Sequence, residues 1–442
     1  MWAGLKRKAS FKVLDLRMNN LSSAKILSDK DFITKTRNRD DYVAHTIGMA
    51  AFILLPLSQF APLWIAPLLI LVVIITAANL FITNRFVVLP WKKVKKITVL
   101  LVVFWVWCVC SLLWTIGYKE TGIEIIRSVL LMAVLPIIAW TYIGSESSRI
   151  FIGKYLFYGC CLGIVLFLVQ IFIDRTLLSI MFNQNFSISP LQQLNRAAAV
   201  LAVIMWPAVL WLWKREYRAI AVLFWIICLF ILWSLDNETA FFAAASASLV
   251  ALLVLIKPHV LIKLSSLFLF LAIVTAPVWP LTILSPERWL AFSCNYTASS
   301  VLHRLYIWQF AVKKTIEKPV TGWGLNTARI MPGGRDIIII RPPCESNWTS
   351  GESLPLHTHN AILQIWLELG GVGAFIFGII LVAINLGLQN ANRFVAAFSQ
   401  SQLTAAIGVA SLGFGAWQSW WLSLLWLSAL IMASIRNENI VD

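Results

Sequence analysis

Charge is scarce in this chain. Asp, Glu, Lys and Arg make up 13% of its 442 residues, about half the share of a soluble protein. No GxxxxGK[ST] run, no GxGxxG behind a strand-like stretch, no HExxH and no CxxC occurs, so phosphate-cradling loops, dinucleotide folds, zincin helices and structural zinc lack their sequence basis. No repeat of 20–50 residues is visible, which argues against a solenoid or propeller. The weak alternating pattern of a membrane barrel is missing. The first 40 or so residues hold no continuous apolar core, so no cleavable signal peptide is expected and the first span serves to insert the chain.

Apolar residues are abundant instead, at 60%, with 22 Trp. Runs of about 17 to 25 apolar residues match the ~30 Å of hydrocarbon that a membrane helix must cross. Spans are expected near 43–58, 61–82, 97–114, 123–143, 151–173, 196–213, 218–235, 239–256, 261–279, 361–386, 400–414 and 417–435, an all-α polytopic membrane protein of about twelve helices. The formal net charge of +16 would suit nucleic acid, but its placement points elsewhere. Ten of the basic residues precede position 40 and five more lie between Arg85 and Lys96. With the N-terminus inside, the inner segments hold 24 Lys and Arg, and the short outer loops only Lys119, Arg175 and Arg196. That asymmetry orients the chain with both termini cytoplasmic, and membrane lipid rather than nucleic acid is the expected partner of the basic clusters.

The expected organisation is a basic cytoplasmic tail (1–42), nine spans (43–280), an outer loop domain with short helices (281–360), and three further spans with a short cytoplasmic end (361–442). The loop is rich in Gly, Pro, Ser, Asn and charge, and irregular backbone cannot face hydrocarbon. Three of the five histidines, His303, His357 and His359, fall in it. Pro355 and Thr358 announce the helix that follows, which would put His359 in its first turn. There the helix dipole disfavours imidazolium and keeps the ring able to accept a proton; a plain capping role fits the same position. His357 and His359 are spaced i, i+2 with no carboxylates beside them, a poor metal set. Arg196, at the mouth of an apolar helix, and Arg304, before an aromatic-rich stretch, can fork onto phosphate oxygens; each alone also reads as a headgroup contact. Glu124 and Arg127, spaced i, i+3, share a helix face and suit an ion pair. Asp236-Asn237-Glu238 is an acidic outer turn, fit for an acceptor contact or simply for water. Five cysteines fall in expected spans, while Cys294 and Cys344 are left over in the loop, where they could pair in an oxidising compartment.

Arg304 before its aromatic helix, the turn Lys318-Pro319-Val320-Thr321-Gly322-Trp323-Gly324, and His359-Asn360 followed by Gly370-Gly371-Val372-Gly373 together resemble the signature of the O-antigen ligase and O-antigen polymerase superfamily. The resemblance extends to the twelve-span layout and to Asn195-Arg196-Ala197-Ala198. It implies a GT-C-like, metal- and ATP-independent glycosyltransferase of the bacterial inner membrane with no cofactor, its site facing the periplasm. The donor would be an undecaprenyl-diphosphate-linked glycan, with His359 as base and Arg196 and Arg304 on the diphosphate; His357, Asn360, Arg127 and His303 are supporting candidates. Ala374-Phe375 stand where enterobacterial ligases have a Thr pair, and Val200 and Trp308 where a Leu follows each Arg by four. The basic balance leans to the ligase, with lipid A-core as acceptor; a polymerase extending the lipid-linked glycan is the alternative. A transporter would set its break near mid-chain and its polar residues at the bilayer midplane, whereas this polar segment follows the ninth span.

Overall fold

The computed structural model describes residues 42–82, 91–132, 146–172, 194–235, 237–292, 299–340 and 349–436. Asp236, Cys294 and Cys344 lie outside them, and so does the proposed cysteine pairing. Helix α1 (Tyr42–Phe60) leads through a 3-10 turn (Pro62–Trp64) into α2 (Ile65–Ile82), followed by α3 (Trp91–Cys110), α4 (Tyr118–Met132) and α5 (Glu146–Phe172). Next come α6 (Asn195–Lys214), α7 (Arg218–Ser234), α8 (Glu238–Ile256) and α9 (Pro258–Val274). The polar segment contributes α10 (Pro286–Phe292), α11 (Ser299–Glu317), a 3-10 turn (Ala328–Ile330) and the strands β1 (Ile337–Ile340) and β2 (Thr349–Glu352). Three helices close the described chain: α12 (Ala361–Leu386), α13 (Arg393–Leu412) and α14 (Ser419–Arg436).

Among the described residues nine helices are long and apolar enough to cross a membrane, and α7 and α9 are shorter apolar helices. The protein is thus an all-α polytopic membrane protein, with one small antiparallel hairpin, Ile337 opposite Glu352 and Ile340 opposite Thr349. Eleven of the expected spans overlap these helices; the one near 123–143 is described only as far as Met132. One boundary moves by a full two turns. The polar run Ser399-Gln400-Ser401-Gln402 straddles the expected start of this span at residue 400, yet α13 begins at Arg393, capped by Asn392, whose side chain accepts the Phe394 N–H at 3.0 Å. Those four polar residues are buried against neighbouring helices: Ser401 donates to the Ala247 carbonyl and Gln402 to that of Ser428.

At the centre stands α6, buried without a break from Ala197 to Leu212. A helix apolar on every side is one surrounded by others, and α5, α7, α8, α13 and α14 all pack on it. This fixes its first turn, and therefore Arg196, against the rest of the fold.

Helix α12 is broken. Gly370 takes φ 65° and ψ −168° in mid-helix, a region essentially reserved for glycine. The turn after α11 fills the break: Trp323 and Gly324 N–H donate to the carbonyls of Leu367 (3.0 Å) and Glu368 (2.8 Å), and Gly371 N–H donates to Pro319 O at 2.8 Å. Trp107 Nε1 donates to the Leu369 carbonyl. Freed backbone groups in a membrane helix need such partners. Below the turn, the carboxylate of Glu368, fully buried, accepts from the Asn326 and Ala328 backbone, Gln364 Nε2 and Trp417 Nε1, so loop, α12 and the α13–α14 turn meet at one residue. A small core of its own, with Leu302, Trp308, Met331 and Leu354, seats the loop segment on Leu363 and Leu367 of α12.

Candidate active site

The histidines sit on the strap that enters α12. Asn360 is the N-cap, its side chain accepting from the N–H groups of Ile362 and Leu363, both at 3.0 Å. His359 therefore precedes the cap instead of lying in the first turn, and its backbone is left-handed, φ 52°. The cap decided this: a short amide that satisfies two free N–H groups outcompetes a histidine for that position. The strap is anchored by Thr358, fully buried, whose carbonyl accepts from Trp308 Nε1 at 2.9 Å.

His359 Nδ1 lies 3.2 Å from the Gly413 carbonyl oxygen. His357 Nδ1 accepts the His359 backbone N–H at 3.1 Å, and its Nε2 is 2.8 Å from the Gln418 side-chain amide. Both imidazoles are half-buried, their centroids 4.2 Å apart. Burial lowers the His359 pKa, the charges of Arg304 and His303 push the same way, and the Gly413 hydrogen bond opposes them. His357 is pushed down to about 3 by burial, with His359 and Arg329 adding to it. Both rings are neutral near pH 7, but the nitrogens of His357 are engaged.

Three adjoining cavities surround this pair. One of about 260 Å³ is lined by Arg196, Arg304, His357, His359 and Gln418 among others, so the two arginines and the two histidines separated by up to 163 positions in sequence converge. Arg304 donates to the Leu412 carbonyl at 3.1 Å, and the Arg196 guanidinium lies over the Trp420 ring at 5.8 Å. A second, of about 530 Å³, shares Asn195, Asn237, Thr239 and Arg304 with the first and runs along the largely exposed Trp233 and Phe242. Glu238 lines it too, and Asn237 caps α8 and donates to the Asn195 carbonyl. The third, of about 410 Å³, shares Arg196, His357 and Gln418 and adds Arg127, Asn326, Arg329 and Trp417.

Arg127 thus reaches the site's edge, paired at 3.3 Å with Glu124 as its i, i+3 spacing suggests. His303 does not join it. Its ring packs on Gly351 and its Nε2 lies 3.0 Å from the Glu352 carbonyl, because the hairpin covers that face of α11. Asn360 serves as a cap rather than lining any of the three cavities. Sequence reading missed Arg329, Gln418 and the Gly413–Gln418 turn. The turn did carry a signal: a Cβ on Gly415 would come within 2.9 Å of the His357 side chain. Among the described residues no three His, Cys, Asp or Glu side chains form a metal cluster.

Residues 186–378 match the family model described as O-antigen ligase. That stretch contains Asn195, Arg196, Arg304, the Gly322–Gly324 turn, His359 and Gly370, and the resemblance drawn from those motifs is borne out by it. The chain is also similar to a Rickettsia conorii protein named "Putative polysaccharide ligase", 26% identical over 372 residues, 80% of this chain and 86% of that protein. A Rickettsia felis protein of the same name is 29% identical over 305 residues, 67% of this chain and 70% of its own.

Proposed function

We propose that this chain, similar in its central region to the O-antigen ligase family, transfers a glycan from an undecaprenyl-diphosphate carrier to the lipid A-core oligosaccharide at the periplasmic face of the bacterial inner membrane. The family match and the relatives' names support a role in joining polysaccharide to an acceptor. The observation that carries the finer reading is the convergence of Arg196, Arg304 and His359 on one cavity.

The chemistry follows from what each group can do. A carbonyl only accepts, so Gly413 holds the His359 proton on Nδ1 and leaves the Nε2 lone pair free. Nε2 takes the proton of the acceptor hydroxyl as its oxygen attacks the anomeric carbon. The anomeric C–O bond to phosphate breaks, and its electron pair leaves with the polyprenyl diphosphate. Direct attack inverts the anomeric centre. Negative charge builds on the departing diphosphate, where the fixed guanidinium groups of Arg196 and Arg304 stabilise it. The exposed apolar side chains of Trp233 and Phe242 along the adjoining cavity suit a prenyl tail reaching the diphosphate from the bilayer. His357 holds the His359 backbone, and neither protonation nor metal is needed of it.

A polymerase would run the same step with a growing glycan as acceptor. The surface glycolipid profile of a deletion strain separates the two: lipid-linked polymer accumulating without reaching lipid A-core is the expected result, and core capped with single repeat units would indicate a polymerase instead.

A further inference from the structure

The third cavity carries more guanidinium groups than the other two. Three guanidinium groups, those of Arg127, Arg196 and Arg329, line its roughly 410 Å³. Glu124 pairs with Arg127 at 3.3 Å, but among the described residues no carboxylate pairs with Arg196 or Arg329. The Glu124 charge also reaches Arg329, but one carboxylate set against three guanidinium groups leaves this concave space net positive. The rest of the wall includes groups that bind sugar, the half-buried indole of Trp417 and the amides of Asn326, Gln364 and Gln418, on a floor formed by the buried Trp420. A prenyl or acyl chain would find only Leu63 and Leu356 there and would leave the guanidinium groups without a partner. A neutral sugar would use the indoles and amides and leave the guanidinium groups unanswered. An anionic sugar uses both, because a forked guanidinium and a phosphate or carboxylate form the stronger, charge-assisted pair.

Position assigns the occupant. Arg196, His357 and Gln418 belong to this cavity and to the one holding His359, while the cavity that runs along Trp233 and Phe242 joins that centre through Asn195, Asn237 and Arg304. The donor and its tail take the side of Trp233 and Phe242, and the hydroxyl that His359 deprotonates comes from the arginine side. We propose that the cavity bounded by Arg127, Arg329, Trp417 and Trp420 is the acceptor subsite, and that it selects an acceptor glycan bearing a phosphate or carboxylate near the reacting sugar. This rests on the reading that the Arg304–His359 cavity holds the donor.

The test uses the full chain in detergent micelles with saturating lipid-linked donor. Acceptor glycolipid is supplied in three forms: untreated, phosphatase-treated and carboxyl-reduced. The expected result is a loss of about tenfold in kcat/KM for the acceptor in one of the two treated forms, the size of one charge-assisted contact; which form loses it names the anion. Arg329→Gln, at an exposed position, should bring untreated acceptor down to that same level, leave the neutralised form unchanged and leave donor affinity unchanged. Arg127→Gln should act in the same direction. Equal use of all three acceptors by the wild type overturns the proposal, and so does an Arg329→Gln protein that binds donor more weakly or loses activity equally with every acceptor. Failure of the underlying donor reading looks different: full turnover in His359→Ala and undiminished donor affinity in Arg304→Ala, whatever the acceptor.

Discussion

His359 Nδ1 and the carbonyl oxygen of Gly413, 3.2 Å apart and 54 positions distant in sequence, fix which nitrogen of the histidine is free to act. The bond joins the strap before α12 to the turn between α13 and α14, so the tautomer depends on how those two elements pack. If Nε2 is the base, His359→Ala should lower single-turnover transfer by about 10²–10⁴ and leave donor affinity nearly unchanged. Wild-type turnover in this variant would remove the histidine from the mechanism.

The acid limb of the pH–rate profile follows from the same ring. A base works when neutral, and burial and the Arg304 charge both lower the His359 pKa from its ordinary value, about 6.5. Activity should therefore hold below pH 6.5 and fall only as the pH drops through the depressed pKa. Arg304→Ala removes one of the lowering charges, so its acid limb should move to higher pH. An acid limb that stays in place in this variant would separate the two side chains electrostatically.

Arg304→Ala and Arg196→Ala should also weaken donor binding together with rate. Lysine at either position should rescue only in part, since an ammonium keeps the charge and loses the bidentate fork. Donor affinity measured apart from turnover, with the polyprenyl-diphosphate-linked glycan as ligand, checks this. Unchanged affinity in both alanine variants would return the residues to interface anchors.

Much of the helical layout could be read from apolar run length alone, because hydrocarbon thickness sets the length of a span. His359, Arg196 and Arg304 were legible because loop histidines and helix-mouth arginines are few in so apolar a chain. Arg329 and Gln418 were not, since each joins the site only through tertiary packing: Arg329 follows the Asn326–Ala328 turn that donates to Glu368, and Gln418 follows the turn tied to Gln364 through Ala416 N–H. The start of α13 at Arg393 is expected too late, at residue 400, for the converse reason. Gln400, Ser401 and Gln402 in the polar stretch of that helix donate to partners inside the bundle, which hydropathy cannot register.

Orientation is open to direct labelling. The 24-to-three distribution of basic residues predicts that the loop lies outside and the α12–α13 connection inside. Cysteine introduced at the exposed Arg335 should react with an impermeant maleimide in intact spheroplasts, and cysteine at the exposed Asn390 only after the inner face is opened. The reverse pattern would move the site to the cytoplasmic side and exclude a periplasmic acceptor.

The glycine pair Gly322 and Gly370 offers a test of how the loop is held to the membrane helices. Both have positive φ, 68° and 65°, and each lies against the other's segment. A Cβ on Gly370 would come 2.2 Å from the Val320 carbonyl oxygen, and one on Gly322 2.4 Å from the Glu368 carbonyl carbon. These are backbone contacts, so no rotamer change relieves them. Alanine at either position should cost at least the roughly 1–3 kcal/mol of a disfavoured backbone conformation, and more as the Trp323, Gly324 and Gly371 hydrogen bonds across the break are pulled apart. The same displacement carries the Asn326–Arg329 turn away from Glu368, so transfer should fall along with the melting temperature. Gly122 supplies the control: it lies inside α4, and a Cβ there meets nothing within 4 Å. Gly122→Ala should match or exceed wild-type stability, since alanine is favoured over glycine in a helix by about 0.5–1 kcal/mol. Thermal unfolding in detergent with single-turnover transfer on the three variants decides the matter. Wild-type stability in Gly370→Ala would mean that the break in α12 does not depend on the turn packed into it.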